Sequence, residues 1–205
     1  MYETHDKKHD HEIFERSEFE DIPLLKKLKV KAYKQLGTSG SGNHFVEFGE
    51  VVLKEGENPW DIQSGSYIGV LSHSGSRGLG AGIAKHYTYL AAKQCPLPKN
   101  VQHLAWLDLN THDGQEYWLA MNLAGDYAKA CHDDIHHRIG KLLGAKPIAK
   151  IENHHNFAWK ESLNGTECIV HRKGATPAKK GELGIIPGSM TAPGFIVSGL
   201  GNAES

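Results

Sequence analysis

The sequence predicts an α+β protein, mixed sheets with flanking helices, and three observations predict it. Two stretches carry helical periodicity, from about Leu79 to Lys93 and from about Gly114 to Leu143. Short β-rich runs lie before and after them, separated by loops rich in glycine and hydroxyl residues. No internal repeat and no low-complexity tract interrupts the series. The 205 residues are 39% hydrophobic, which is enough for a real core, and the net charge of −1 gives no global basic field. That balance neither supports nor excludes a nucleic-acid partner, because a local basic groove can sit inside a neutral total.

Residues 1 to 34 are charged and broken by Pro23, with adjacent apolar pairs at Ile13-Phe14 and Leu24-Leu25. They read as a mobile lead into a short helix, with little chemistry. Next comes Gln35-Leu36-Gly37-Thr38-Ser39-Gly40-Ser41-Gly42-Asn43-His44-Phe45-Val46-Glu47, which delivers an amide, an imidazole and a carboxylate within five residues. Glycines let a backbone approach a ligand closely, and a neutral imidazole suits a borderline metal. Taken alone the same run is equally a hairpin loop. Phe45 to Leu53 alternates as a strand, and Ser66 to Ser72 reads as a buried strand entering His73-Ser74-Gly75-Ser76-Arg77-Gly78 and the first long helix. The second helix repeats apolar residues at Leu119, Leu123, Tyr127, Ile135 and Ile139 and stops at Gly144. Lys146 to Ile151 and Glu167 to His171 are expected strands, followed by loops at Arg172-Lys173-Gly174-Ala175-Thr176-Pro177 and Ile185-Ile186-Pro187-Gly188-Ser189-Met190.

Cys95, Cys131 and Cys168 are odd in number and far apart, so neither a disulfide framework nor a cysteine-only zinc site is expected. No apolar run approaches the roughly 18 residues that span a bilayer, and the first residues lack a secretory pattern. A reducing, cytoplasmic setting without a membrane partner is the expectation. Of 14 histidines, His5, His9, His11, His132, His136 and His137 lie in polar stretches and read as surface residues.

A strand followed by Ser74-Gly75-Ser76-Arg77-Gly78-Leu79-Gly80 and a helix looks like the cofactor turn of short-chain dehydrogenases. Those enzymes need a Tyr and a Lys four residues on, well downstream. Tyr89 and Lys93 have the spacing but lie on the helix that the glycine turn opens, so this reading fails.

Three segments in series decide among readings: Leu36 to Glu47, His73 to Gly80, and His155-Asn156-Phe157-Ala158 with Glu161. With His171-Arg172-Lys173-Gly174-Ala175-Thr176 and Pro187-Gly188-Ser189-Met190 they resemble, over roughly residues 35 to 205, the RtcB family. These are GTP-dependent RNA ligases that join a 3′-phosphate or 2′,3′-cyclic phosphate end to a 5′-hydroxyl. The resemblance implies two manganese ions and GTP as cofactors, with His44, His73 and His155 as metal ligands. It implies that Asn43, His44, Phe45, Val46 and Glu47, then His155 and Asn156, then Pro187, Gly188, Ser189 and Met190 hold the guanylate. Arg172 and Lys173 are grips for RNA phosphate, a role that a guanidinium fork and an ammonium suit. His154 is assigned nothing. In the implied mechanism a histidine attacks the α-phosphate of GTP, and the guanylate passes to the RNA 3′-phosphate before the 5′-hydroxyl displaces it.

The chain departs from that pattern in three places. The family's Asp-x-x-Cys metal element is absent, since Cys95, Cys131 and Cys168 follow Ala92, Ala128 and Gly165 at that distance. The His-Gly-Ala-Gly segment that carries the nucleophile is expected beyond Ser205, so no catalytic residue is assigned within the chain. Gly194 stands where the pattern has a Ser. The expectation is a charged lead over 1–34 and an incomplete ligase core over 35–205, inactive alone. Two alternatives stay open: a non-catalytic RNA- or nucleotide-binding module, and a metal-dependent phosphoesterase. The particular RNA, any activating protein and the oligomeric state are not readable from these residues.

Overall fold

The computed structural model describes residues 10–56, 58–189 and 191–202. Two compact units, Met1–Lys146 and Pro147–Ser205, divide the chain. Among the described residues they hold helices and three two-stranded antiparallel sheets, an α+β content as the sequence predicts.

The first unit opens with a 3-10 turn (Glu12–Glu15), α1 (Glu18–Asp21) and α2 (Pro23–Gln35). His11 caps the turn, its Nδ1 accepting from the Ile13 amide at 3.1 Å, so it is not merely a surface residue. The mobile lead expected over 1–34 is corrected over its described part, because Ile13, Phe14, Phe19, Ile22, Leu25 and Ala32 are buried in the main core. The physical reason is spacing: these apolar residues form no run, but a turn and two helices gather them onto one face. Pro23 starts α2 at a position where a missing N–H costs nothing.

Helices α3 (Arg77–Gln94) and α4 (His112–Leu143) fall where the periodicity puts them. Leu79, Ile83, Tyr87 and Ala91 recur every four residues on α3 and are all buried. On α4, Leu123, Tyr127 and Ile135 are buried as expected, whereas Leu119 is 47% exposed and Ala120 takes the core position instead. Thr111 caps the start of α4 by accepting from the Gly114 amide, and Gly144 ends it at φ +62°. Two buried phenols tie the helices: Tyr127 donates to the Ala32 carbonyl at 2.7 Å, and Tyr87 to Glu116 Oε1 at 2.6 Å.

Strands β1 (Phe45–Leu53) and β2 (Gly65–His73) pair as a ribbon, with Phe45 opposite His73 and Leu53 opposite Gly65. The expected burial of Ser66 to Ser72 is corrected: Ile68 is 84% exposed, because a two-stranded ribbon has no neighbouring sheet to cover both faces. Antiparallel pairing also removes the dehydrogenase-like reading, which needs a parallel crossover. Lys93 instead lies over the exposed Tyr89 ring at 4.4 Å.

The second unit contains β3 (Asn156–Leu163) paired with β4 (Thr166–Lys173), and β5 (Leu183–Ile186) paired with β6 (Phe195–Ser198). Asn164 and Gly165 turn the first hairpin with φ of +52° and +80°, the two positive angles that a tight two-residue turn requires. The strand expected at Lys146–Ile151 does not form; Pro147 breaks it and no partner strand faces it among the described residues. Strands β3, β5 and β6 were unread in the sequence, and Ile185-Ile186, expected in a loop, instead end β5, paired with β6.

Candidate functional site

The glycine-rich loop between α2 and β1 is held from three sides. Leu36 ends α2, Gly37 turns the chain at φ +66°, and the buried Thr38 donates its hydroxyl to the Gln35 carbonyl at 2.6 Å. Gln35 Oε1 accepts from the Gly78 amide at 2.9 Å, and Ser74 donates to the Ser39 carbonyl at 3.0 Å. These bonds pin the loop to the opening of α3. Arg138 on α4 donates to the Gly37 carbonyl and pairs with Asp134 at 2.9 Å, holding the same turn from the other side.

Sequence reasoning left Arg77 unassigned although it stood inside a quoted motif, and it gave no role to Gln35, Thr38, Ser74 or Arg138. The Arg77 backbone is left-handed at φ +52°, an uncommon conformation for a bulky residue. Its Nε donates to Thr38 Oγ1 at 3.2 Å and its Nη1 to His44 Nδ1 at 3.0 Å. Gly40, at φ +91°, leaves the space this contact needs, since a Cβ there would fall on Arg77 Nη1 and His44 Nδ1. A guanidinium only donates, so His44 Nδ1 must offer its lone pair and the neutral ring carries its proton on Nε2. Burial foremost, then the charges of Arg77 and His73, push the His44 imidazole below its ordinary pKa.

His73 ends β2 beside this loop, with ring centroids 5.8 Å from His44 and 5.7 Å from Phe45. Asn43 Nδ2 lies 3.5 Å from His73 Nε2. The structure thus brings Asn43, His44, Phe45 and His73 together. Glu47 shares the ribbon face of Phe45, opposite Leu71, while Val46 belongs to the other face, opposite Ser72. As donors for manganese, the two imidazoles fit as part of a site. No third His, Cys, Asp or Glu completes a cluster among the described residues, and a metal on a neutral His44 would have to displace Arg77.

The remaining expected residues lie in the second unit. Half-buried His155 precedes β3, and its carbonyl accepts from the Ala175 amide at 3.2 Å. Asn156 Oδ1 accepts from the Gly174 amide at 2.8 Å, and Asn153 clamps β5 through the Leu183 carbonyl and Ile185 amide, both at 2.9 Å. Arg172 forms a two-pronged pair with Glu161 at 2.8 and 3.0 Å and stacks over Trp159. Its fork is therefore engaged, which pulls the Glu161 carboxyl below its ordinary range; a phosphate there would compete with Glu161. Lys173 is exposed at the strand end. Pro187, Gly188 and Ser189 form an exposed loop, and a Cβ at Gly188 would meet the Ala192 carbonyl at 2.5 Å, so this turn needs glycine. Met190 lies outside the described residues, as do His5 and His9.

The class of protein this defines is an α+β domain whose glycine-rich loop sets paired imidazoles and an arginine on a helical core. Comparison with known proteins sharpens it. The family model described as tRNA-splicing ligase RtcB matches residues 2–205, so the match includes the segment expected to be a mere lead. The chain is 36% identical over 194 residues to the RNA-splicing ligase RtcB of Escherichia coli (strain K12), covering 87% of this chain and 44% of that protein. It is 30% identical over 230 residues to the tRNA-splicing ligase RtcB of Methanococcus maripaludis, covering 97% and 48%. With RNA-splicing ligase RtcB homolog 1 of Entamoeba dispar the identity is 31% over 210 residues, covering 86% and 38%. This chain belongs to the RtcB family. It spans less than half the length of these curated relatives. No helix among the described residues is long and apolar enough to cross a membrane.

Proposed function

We propose that this chain is part of an RNA ligase that joins RNA 3′-phosphate or 2′,3′-cyclic phosphate ends to 5′-hydroxyl ends, using GTP and manganese through a histidine-guanylate intermediate. The observation that carries the reading is the juxtaposition of His44 and His73, 5.8 Å apart between ring centroids, within a chain of this family. His44, His73 and His155 are the residues proposed to hold manganese, which when bound supplies Lewis-acid stabilisation of charge on phosphoryl oxygens. Asn43 to Glu47, His155, Asn156 and Pro187 to Met190 are proposed to contact the guanylate, and Lys173 and Arg172 the RNA phosphates, Arg172 on release from Glu161. Within the loop, Arg77 orients the His44 ring and Gln35, Thr38 and Ser74 hold the backbone that carries it. No residue of the 205 is assigned as the nucleophilic histidine or as part of an Asp-x-x-Cys element.

The test is transfer of radiolabelled guanylate from GTP, in manganese, to the natural full reading frame that carries these residues. Acid-labile label is expected there, lost in His44→Ala, His73→Ala and His155→Ala, and absent from this chain alone. No label on the full frame defeats the ligase reading. RNA binding without label would favour a binding module, and cyclic-phosphate turnover without GTP a phosphoesterase.

A further inference from the structure

Three side chains outside the proposed ligase machinery converge on one point. His132 and His136 stand four residues apart on α4, hence on one helix face. Ser72 Oγ on β2 lies 2.7 Å from His132 Nδ1 and 2.7 Å from His136 Nε2. Both histidines are half-buried, which corrects the expectation that they are surface residues; His137 is exposed as expected. Side chains alternate along a strand, so Ser72 and His73 leave the ribbon on opposite faces. The histidine pair is therefore separate from the His44 and His73 site.

We propose that His132, His136 and Ser72 form a binding site for a late first-row dication, nickel(II) or copper(II). A histidine pair at this helical spacing puts both rings on one face, the spacing that helical metalloprotease motifs share, and here Nδ1 of His132 and Nε2 of His136 face the serine. The serine hydroxyl has one proton and can donate to only one of the two ring nitrogens; a cation among the three groups would take the lone pair of each ring in the tautomer that faces it. Each 2.7 Å oxygen–nitrogen separation is near the roughly 3.0 Å between neighbouring donors on a metal with bonds of about 2.1 Å. With two imidazoles and one neutral oxygen, the site favours copper and nickel over manganese by the general affinity order. No third His, Cys, Asp or Glu joins the group among the described residues. The ion held here would differ from the manganese proposed for the ligase site.

Nickel titration of the metal-stripped full chain, by calorimetry and ligand-field absorption, tests this. A His44→Ala/His73→Ala background removes the other imidazole pair. One equivalent of nickel is expected to bind in that background, and adding His132→Asn or His136→Asn weakens it by about tenfold or more. Ser72→Cys, which keeps both histidines, is expected to tighten nickel by about tenfold or more and to add a thiolate charge-transfer band. Equal nickel affinity with and without His132 and His136 overturns the proposal, as does the absence of a gain in Ser72→Cys. Loss of all nickel binding in the His44→Ala/His73→Ala background also overturns it, by assigning the ion to the other pair. GTP plays no part, so failure of the ligase reading leaves this result readable.

Discussion

The two units solve the same problem, holding chemistry-bearing loops in place, by different means. In Met1–Lys146 a core of side chains such as Phe19, Leu25, Leu79, Leu123 and Tyr127 is fully shielded, and the loop with His44 is hydrogen-bonded to helices that this core fixes. In Pro147–Ser205, Ala158 is the one buried apolar side chain among the described residues, while Ile186 and Phe195 are 54% and 61% exposed. Its two hairpins are held by ladder bonds, the Asn153 clamp and the Glu161–Arg172 pair. An isolated two-stranded hairpin is marginal in water. The first unit thus aims its loop through burial, the second through polar bonds.

The comparison breaks most visibly at Phe19. Phe19→Ala removes a fully buried ring from a segment expected to be a mere lead, and urea unfolding should show a loss of about 3–5 kcal/mol. Phe195→Ala, in the second unit, should change stability by about 0.5 kcal/mol or less. Equal losses would mean that the two units rest on burial alike.

Gly40→Ala combines a left-handed backbone with a collision against Arg77 and His44. It should cost about 1–3 kcal/mol. Nitrogen-15 spectra of the His44 ring should also show its fixed tautomer lost. Retention of the tautomer would show that Arg77 does not set it.

In the second unit, Arg172→Met leaves Glu161 without its fork. Both side chains are largely shielded, 10% and 13% exposed, on a two-stranded sheet that leaves water close by, so the expected loss is about 1–2 kcal/mol, read as a lower melting point of the hairpin. A Glu161 carboxyl that still titrates below its ordinary range in this variant would refute the assigned cause.

The smallest expected effect is with pH. His44 has a folded pKa below its unfolded value, so at high pH both states are neutral and there is no penalty. As pH falls through the ordinary imidazole range the unfolded chain takes up a proton first, and stability declines until the folded pKa is passed. Urea midpoints at pH 7.5 and 5.5 should therefore converge in His44→Gln relative to wild type. A steeper slope in the variant would contradict the direction.

Much of this was legible in the sequence. The ribbon strand from Phe45, both long helices and the Gly144 stop follow from periods of two and 3.6 residues and from cap chemistry. The loops carrying His44 and His73 were visible because glycine and hydroxyl residues cluster there. The core role of residues 13–36 was hidden because their apolar residues come singly or in pairs and form no run. The strand expected at Lys146–Ile151 failed because alternation specifies a face but not a partner. Arg77 was passed over because sequence alone does not say which side chain in a loop turns inward.

What the sequence determined by itself is local: periodicity, breakers, and the ordered motifs that mark membership of the RtcB family. What only the tertiary structure decided is which distant side chains meet. Arg77 on His44, Tyr127 on the Ala32 carbonyl, and Ser72 between His132 and His136 join residues 33, 95, and 60 and 64 positions apart. Contacts at such separations depend on how helices and ribbon pack, and packing is set by the whole core rather than by any segment of it.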